Sequence, residues 1–133
     1  MRFWICAAAV NGFLAVAMGA LAAHGLRDRL PADSLDWIET GARLGLGHGL
    51  ALLAVALLAD RAAGPARALE VAGWGFLLGT ALFSGVLYVM GLSGWRALGA
   101  VVPLGGVAFL IGWGALFAYG IGLRGESAAT RSN

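Results

Sequence analysis

Four long apolar runs, separated by short polar stretches, set the pattern of this chain. Residues 3–23, 38–59, 69–92 and 103–122 each approach or exceed the roughly 20 residues that a helix needs to cross the hydrocarbon core of a bilayer. Backbone facing lipid has no water to satisfy it, so runs of this kind must be helical. The pattern predicts an all-α integral membrane protein: a single domain over residues 1–124, folded as an up-down four-helix bundle. The polar residues 125–133 read as a disordered tail.

The first run has one strongly polar side chain, Asn11, near mid-depth. Ala15, Gly19 and Ala23 form a small-xxx-small row that admits a close neighbour. The opening imitates a secretory signal, with Arg2, an apolar stretch and Ala20-Leu21-Ala22. The apolar stretch exceeds the roughly 7–15 residues of a signal core, and further runs follow, so a retained first helix is the better reading.

The connection HGLRDRLPADSLD is turn-like and broken by Pro31. Asp33 is the expected N-cap of the second helix, with Asp36 reaching back in the manner of a capping box. The rest of the chain is organised around the second run. It carries Glu39, Arg43 and His48, and its glycines Gly41, Gly45 and Gly49 recur every fourth residue on one helix face.

After the loop DRAAGPAR, with its Gly64-Pro65 break, the third run places Glu70 in its first turn. An acid is favoured there by the helix dipole. Thr80, Ser84 and Tyr88 share one face at a spacing of four, and Gly75 and Gly79 form a close-packing pair. Residues 93–102 admit two readings. Either they lie at the interface or re-enter the membrane, with Pro103 starting the fourth helix, or that helix starts near Leu98 and kinks at Pro103.

Composition agrees with lipid as solvent. Of 133 residues, 60% are hydrophobic and only 12% charged, against about a quarter charged in soluble domains. Mean hydropathy is +0.84. A net charge of +2 is too small to imply nucleic acid. The single Cys6 excludes an intrachain disulfide and a cysteine-based metal site. Trp4, Trp37, Trp74 and Trp95 fall near the predicted membrane ends, as an aromatic belt requires. Arginines predominate on the side holding both termini, which points to cytoplasmic termini.

On a rise of about 1.5 Å per residue, Asn11, His48 and Thr80 fall near mid-membrane. His24, Glu39, Arg43, Tyr88 and Arg96 fall toward the side away from the termini. Two polar layers are therefore expected. Their first reading is interhelical hydrogen-bond glue. The second is a cavity in which His24, Glu39, Arg43 and His48 handle a proton or small solute. A two-histidine haem is a third, but His24 and His48 differ in depth by more than about 10 Å, which counts against it. No G-x-S-x-G, HExxH, Walker or CxxC pattern is present, so no enzyme is expected.

GALAAHGL (19–26), WIETG (37–41), HGLALL (48–53), FSGVLY (83–88), PLGG (103–106) and GW (112–113) occur in an order that resembles the YgdD-like family of small bacterial inner-membrane proteins. The resemblance covers about residues 19–113 and implies four membrane helices with no established activity. The positions it carries over are His24, Thr40, Gly41, His48, Ser84, Gly85, Tyr88, Pro103, Gly105 and Gly106, without assigned chemistry. Where relatives often have Gln or Tyr and another aromatic before the histidine, this chain has ARLGLG.

The expected function is that of a structural or accessory component. It sits in a lipid bilayer, packs with itself or with a larger membrane complex, and uses no cofactor or metal. The alternative is a small-solute or proton transporter using the His/Arg/Glu layer.

Overall fold

The computed structural model describes residues 2–62 and 66–131. Four helices are long and apolar enough to cross a membrane, and no strand occurs among the described residues. They are α1 (Arg2–Gly25), α2 (Ala32–Arg61), α3 (Arg67–Ser93) and α4 (Val102–Arg131). The fourth span is Arg96–Gly122, because a short 3-10 turn, Arg96–Ala100, leads into α4. The expected Gly64-Pro65 break lies outside the described residues.

The pattern of exposure is that of a protein in oil. Phe13 and Leu110 are 73% exposed and Phe117 is 72% exposed, positions that water would penalise and lipid tails do not. α1 packs along α2, α3 packs along α4, and α2 meets α3 in the middle. One core cluster, near the end that holds Arg2, joins Trp4, Leu52, Val55, Leu69, Phe76 and Phe109.

Glycines set how closely the helices approach. A Cβ on Gly75 would lie 2.7 Å from the Gly112 Cα, so α3 and α4 touch backbone to backbone. A Cβ on Gly79 would run into the Phe109 ring. The α2 row faces inward. Gly41 and Gly45 receive Tyr88 and Ser84 of α3, while Gly49 lies against Asn11, Gly12 and Ala8 of α1. Each of these glycines therefore has its neighbour within the single chain.

α2 begins earlier than its apolar run suggests. Its 30 residues span about 45 Å, against a hydrocarbon core of about 30 Å. Its early turns, with Asp33, Asp36, Glu39 and Arg43 all exposed, thus reach toward the headgroups. Pro31, not Asp33, holds the N-cap position, and no side chain caps it. Asp33 is engaged elsewhere: Arg96 Nη2 donates to its Oδ2 at 2.8 Å, and the Arg96 guanidinium lies 5.2 Å from the Trp37 ring centre.

α1 and α3 each contain a one-turn π-helical segment, Leu21–Gly25 and Ala81–Gly85. Residues 93–102 form a tight connector. Gly94, at φ 72°, ends α3 in the left-handed conformation that favours glycine, and its N–H reaches the Met90 carbonyl at 2.8 Å. Pro103 is the second residue of α4, so no α-helix precedes it that it could kink. The helical backbone of α4 continues past Gly122 to Arg131, through most of the stretch expected to be a disordered tail. Ala, Glu and Arg in that stretch are good helix formers. Ser132 and Asn133 lie outside the described residues.

Candidate functional site

The central polar residues separate into two sites. Asn11 is only 7% exposed, and its Nδ2 donates to Thr80 Oγ1 at 3.2 Å. Thr80 Oγ1 in turn donates to the Phe76 carbonyl at 2.8 Å. This chain ties α1 to α3 beside an open-sided cavity of about 390 Å³.

His48 turns away from that pair, toward the aromatic rings of Phe76 on α3 and Phe109 and Trp113 on α4. Its Nδ1 lies 2.8 Å from the Leu44 carbonyl, which can only accept. The Trp113 indole, which can only donate, gives its Nε1–H to His48 Nε2 at 3.2 Å. One ring nitrogen therefore donates and the other accepts, which defines a neutral imidazole with its proton on Nδ1. The ring stacks on Phe109 with centres 3.5 Å apart and planes 11° from parallel. Phe76 closes a third side, its centre 5.7 Å from the imidazole. Gly79 and Gly112 make room for Phe109 and Phe76 respectively.

Ser84 and Tyr88 gather at the π-helical segment of α3. Ser84 is fully buried, and neither Ser84 Oγ nor Tyr88 Oη has a hydrogen-bond partner among the described residues. Both hydroxyls face Gly45: a Cβ there would sit 3.1 Å from Tyr88 Oη and 3.3 Å from Ser84 Oγ. From the other side, Gly105 of α4 presses onto the backbone of Leu82 and Phe83. Segments far apart in sequence, 37–41, 83–88 and 103–106, thus meet at one irregular turn.

The outer layer is not assembled. His24, Glu39 and Arg43 are all exposed, and the one side-chain ion pair among the described residues is Asp33–Arg96. Glu39 and Arg43 lie on the outward face of α2, opposite the face given to the glycines. His24 ends α1 in its own π-helical turn. The cavity of the second reading, joining His24, Glu39, Arg43 and His48, has no counterpart among the described contacts: the first three are exposed, and only His48 has side-chain partners. The depth comparison was sound for Asn11 and Thr80, but depth says nothing about direction around a helix axis.

Trp113, Phe109 and Phe76 are the site residues that sequence reasoning missed. A signal existed for Trp113. It is the one tryptophan of five far from a predicted membrane end, and a mid-span indole N–H needs a partner. Among the described residues, no three His, Cys, Asp or Glu side chains come together to hold a metal ion.

Comparison with known proteins agrees with this architecture. The family model described as "Protein of unknown function (DUF423)" matches residues 18–106. The UPF0382 membrane protein YwdK of Bacillus subtilis is 42% identical over 113 residues, 85% of this chain and 91% of the relative. A UPF0382 membrane protein of Haemophilus influenzae is 46% identical over 112 residues, 84% of this chain and 87% of that one. The UPF0382 inner membrane protein YgdD of Escherichia coli is 37% identical over 129 residues, 92% of each chain. No solved structure matches.

Proposed function

Since the chain belongs to the UPF0382 (DUF423) family of membrane proteins, we propose on structural grounds that it is a structural or accessory component that packs with itself or with a larger membrane complex. One observation carries this reading. Gly114, Ala118 and Gly122 recur every fourth residue on α4, all exposed, and a Cβ on either glycine would meet nothing within 4 Å. Small residues at this spacing let a second membrane helix approach closely. The inner glycines already have neighbours within the chain; this row has none among the described residues.

The reading is non-enzymatic and favours packing over transport, because His24, Glu39 and Arg43 are exposed and none of them lines the α1–α3 cavity. We place both termini in the cytoplasm, from the arginine excess on their side.

Native mass spectrometry in mild detergent tests the proposal, comparing the wild type with a Gly114→Leu/Ala118→Leu variant. The wild type is expected as an oligomer or with a co-purifying membrane protein, and the variant as a monomer. A strictly monomeric wild type with nothing bound overturns it.

A further inference from the structure

The outward face of α2 carries two features that the account has not used. The first is a run of leucines at alternating spacings of four and three. Leu46, Leu50, Leu53 and Leu57 are 43%, 62%, 38% and 53% exposed. This is the spacing of a coiled-coil seam, and left-handed seams of that geometry are common between membrane helices. Gly47 and Ala54 flank the leucines, small and exposed, so a neighbouring backbone can come close. The leucines alone would suit lipid as well as protein.

The second feature is charge. Glu39 and Arg43 continue the same spacing toward the outer end of the seam, both exposed. Arg43 follows Glu39 by one turn, yet neither enters an ion pair among the described residues, where the one pair is Asp33–Arg96. Trp37, in contact with Arg96, marks the headgroup level. The Arg43 backbone lies about 9 Å deeper on the helix rise, where an unpaired charge is costly.

These charges select what covers the face. An acyl chain satisfies neither. A lipid phosphate suits Arg43 but repels Glu39 one turn away. A second copy of this chain suits both. Copies inserted the same way present the same residues at the same depth, so a seam between them pairs residues close in depth. Glu39 and Arg43 differ by about 6 Å, within reach of an arginine side chain. In a parallel seam each side chain enters a space bordered by the preceding seam residue of the other helix, which brings Arg43 of each copy to Glu39 of the other. A two-fold axis along the membrane normal forms both pairs at once. We propose that the outward face of α2 is the interface of a parallel homodimer, with the leucines packed on their counterparts and two reciprocal Glu39–Arg43 ion pairs at the outer end. This rests on the packing reading above and names a partner and a second face for it. The seam has no hydrogen-bonding side chain below Arg43 and draws on packing and lipid entropy. A micelle lacks the second, so in detergent only the α4 row is expected to hold.

The test is therefore made with the full chain in proteoliposomes, with Cys6→Ser as background. Under oxidation, Leu46→Cys, Leu50→Cys and Leu53→Cys are each expected to give a disulfide-linked band of two copies of the chain, identified by mass spectrometry. Leu78→Cys on α3, 50% exposed but off the seam, is expected to stay monomeric. Added to Leu50→Cys, Glu39→Arg or Arg43→Glu sets like charges across the seam and is expected to lower the cross-linked yield about tenfold, as two attractive pairs become repulsive. Mixing these two charge variants under different affinity tags restores opposite charges, and the mixed dimer is expected to recover the yield. Unchanged thermal unfolding in detergent confirms that each variant is folded. Seam thiols that stay monomeric yet react with an alkylating reagent, a yield indifferent to both charge variants, or a mixture that recovers nothing overturns the proposal. If Ala118→Cys still cross-links in that case, the packing reading stands on α4 without this seam.

Discussion

Trp113 of α4 donates its indole N–H to His48 of α2 at 3.2 Å, and His48 is thereby held as a neutral ring stacked on Phe109. The contact joins residues 65 apart in sequence and shows why a mid-span histidine needs no charged partner. Its contribution separates into parts. Trp113→Phe keeps an aromatic ring and removes the donor, and is expected to cost about 0.6 kcal/mol, the average for a side-chain hydrogen bond between membrane helices. His48→Ala also removes the stacked ring and is expected to cost about 2 kcal/mol. A double-mutant cycle by denaturant titration in detergent measures the coupling, and a coupling of zero would remove the hydrogen bond from the account.

The glycines fall into two groups with opposite expectations. Gly75→Ala places a methyl group 2.7 Å from the Gly112 backbone, where neither helix can yield by turning a side chain. A loss of about 1–3 kcal/mol is expected, as for other overpacked sites. Gly47, on the outward face of α2, has nothing within 4 Å, and Gly47→Ala is expected to be neutral or to stabilise by up to about 1 kcal/mol through helix propensity. Thermal unfolding of both variants compares them directly.

Gly94 is a separate case, because the constraint is on its backbone. At φ 72°, an alanine is expected to cost about 1–2 kcal/mol, although the space around it is open. Gly94→Asn, which tolerates the left-handed region better, is expected to recover part of the loss. The order Gly, then Asn, then Ala in unfolding temperature checks this.

Arg96 and Asp33 form the ion pair that pins the α3–α4 connector to the start of α2, but their side chains are 71% and 62% exposed. Such pairs contribute at most about 1 kcal/mol and weaken with salt. Asp33→Asn is therefore expected to lower stability slightly in low salt and to match the wild type at high salt. A large effect that salt leaves unchanged would contradict the exposed geometry.

The spans were legible in the sequence because lipid leaves the backbone one choice: a long uncharged run must be helical wherever it sits. The Asn11–Thr80 depth match was legible for the same reason, since rise per residue is fixed. Direction around each helix was not. The sequence showed Gly41, Gly45 and Gly49 as one row, but not that Tyr88, Ser84 and Asn11 would occupy it. Glu39 and Arg43 shared a depth range that admitted a cavity with His48 as the second reading, but both are exposed on the outward face of α2. The π-helical segments shift that direction further, because an extra residue in one turn rotates everything after it. Ser84, inside the π-helical segment of α3, met Gly45 through a rotation that no periodicity records.

The outward row of α4 bears most of the functional account, and its occupancy can be read in the native membrane. With Cys6 replaced by serine, a cysteine placed at Ala118 should form an oxidative cross-link to a second copy or to another membrane protein, resolved as a discrete heavier band. A cysteine at Phe117, 72% exposed but on the adjacent flank, should cross-link less. If Ala118→Cys remains monomeric under oxidation while its thiol stays reactive to a small alkylating reagent, the row faces only lipid and the packing role is contradicted.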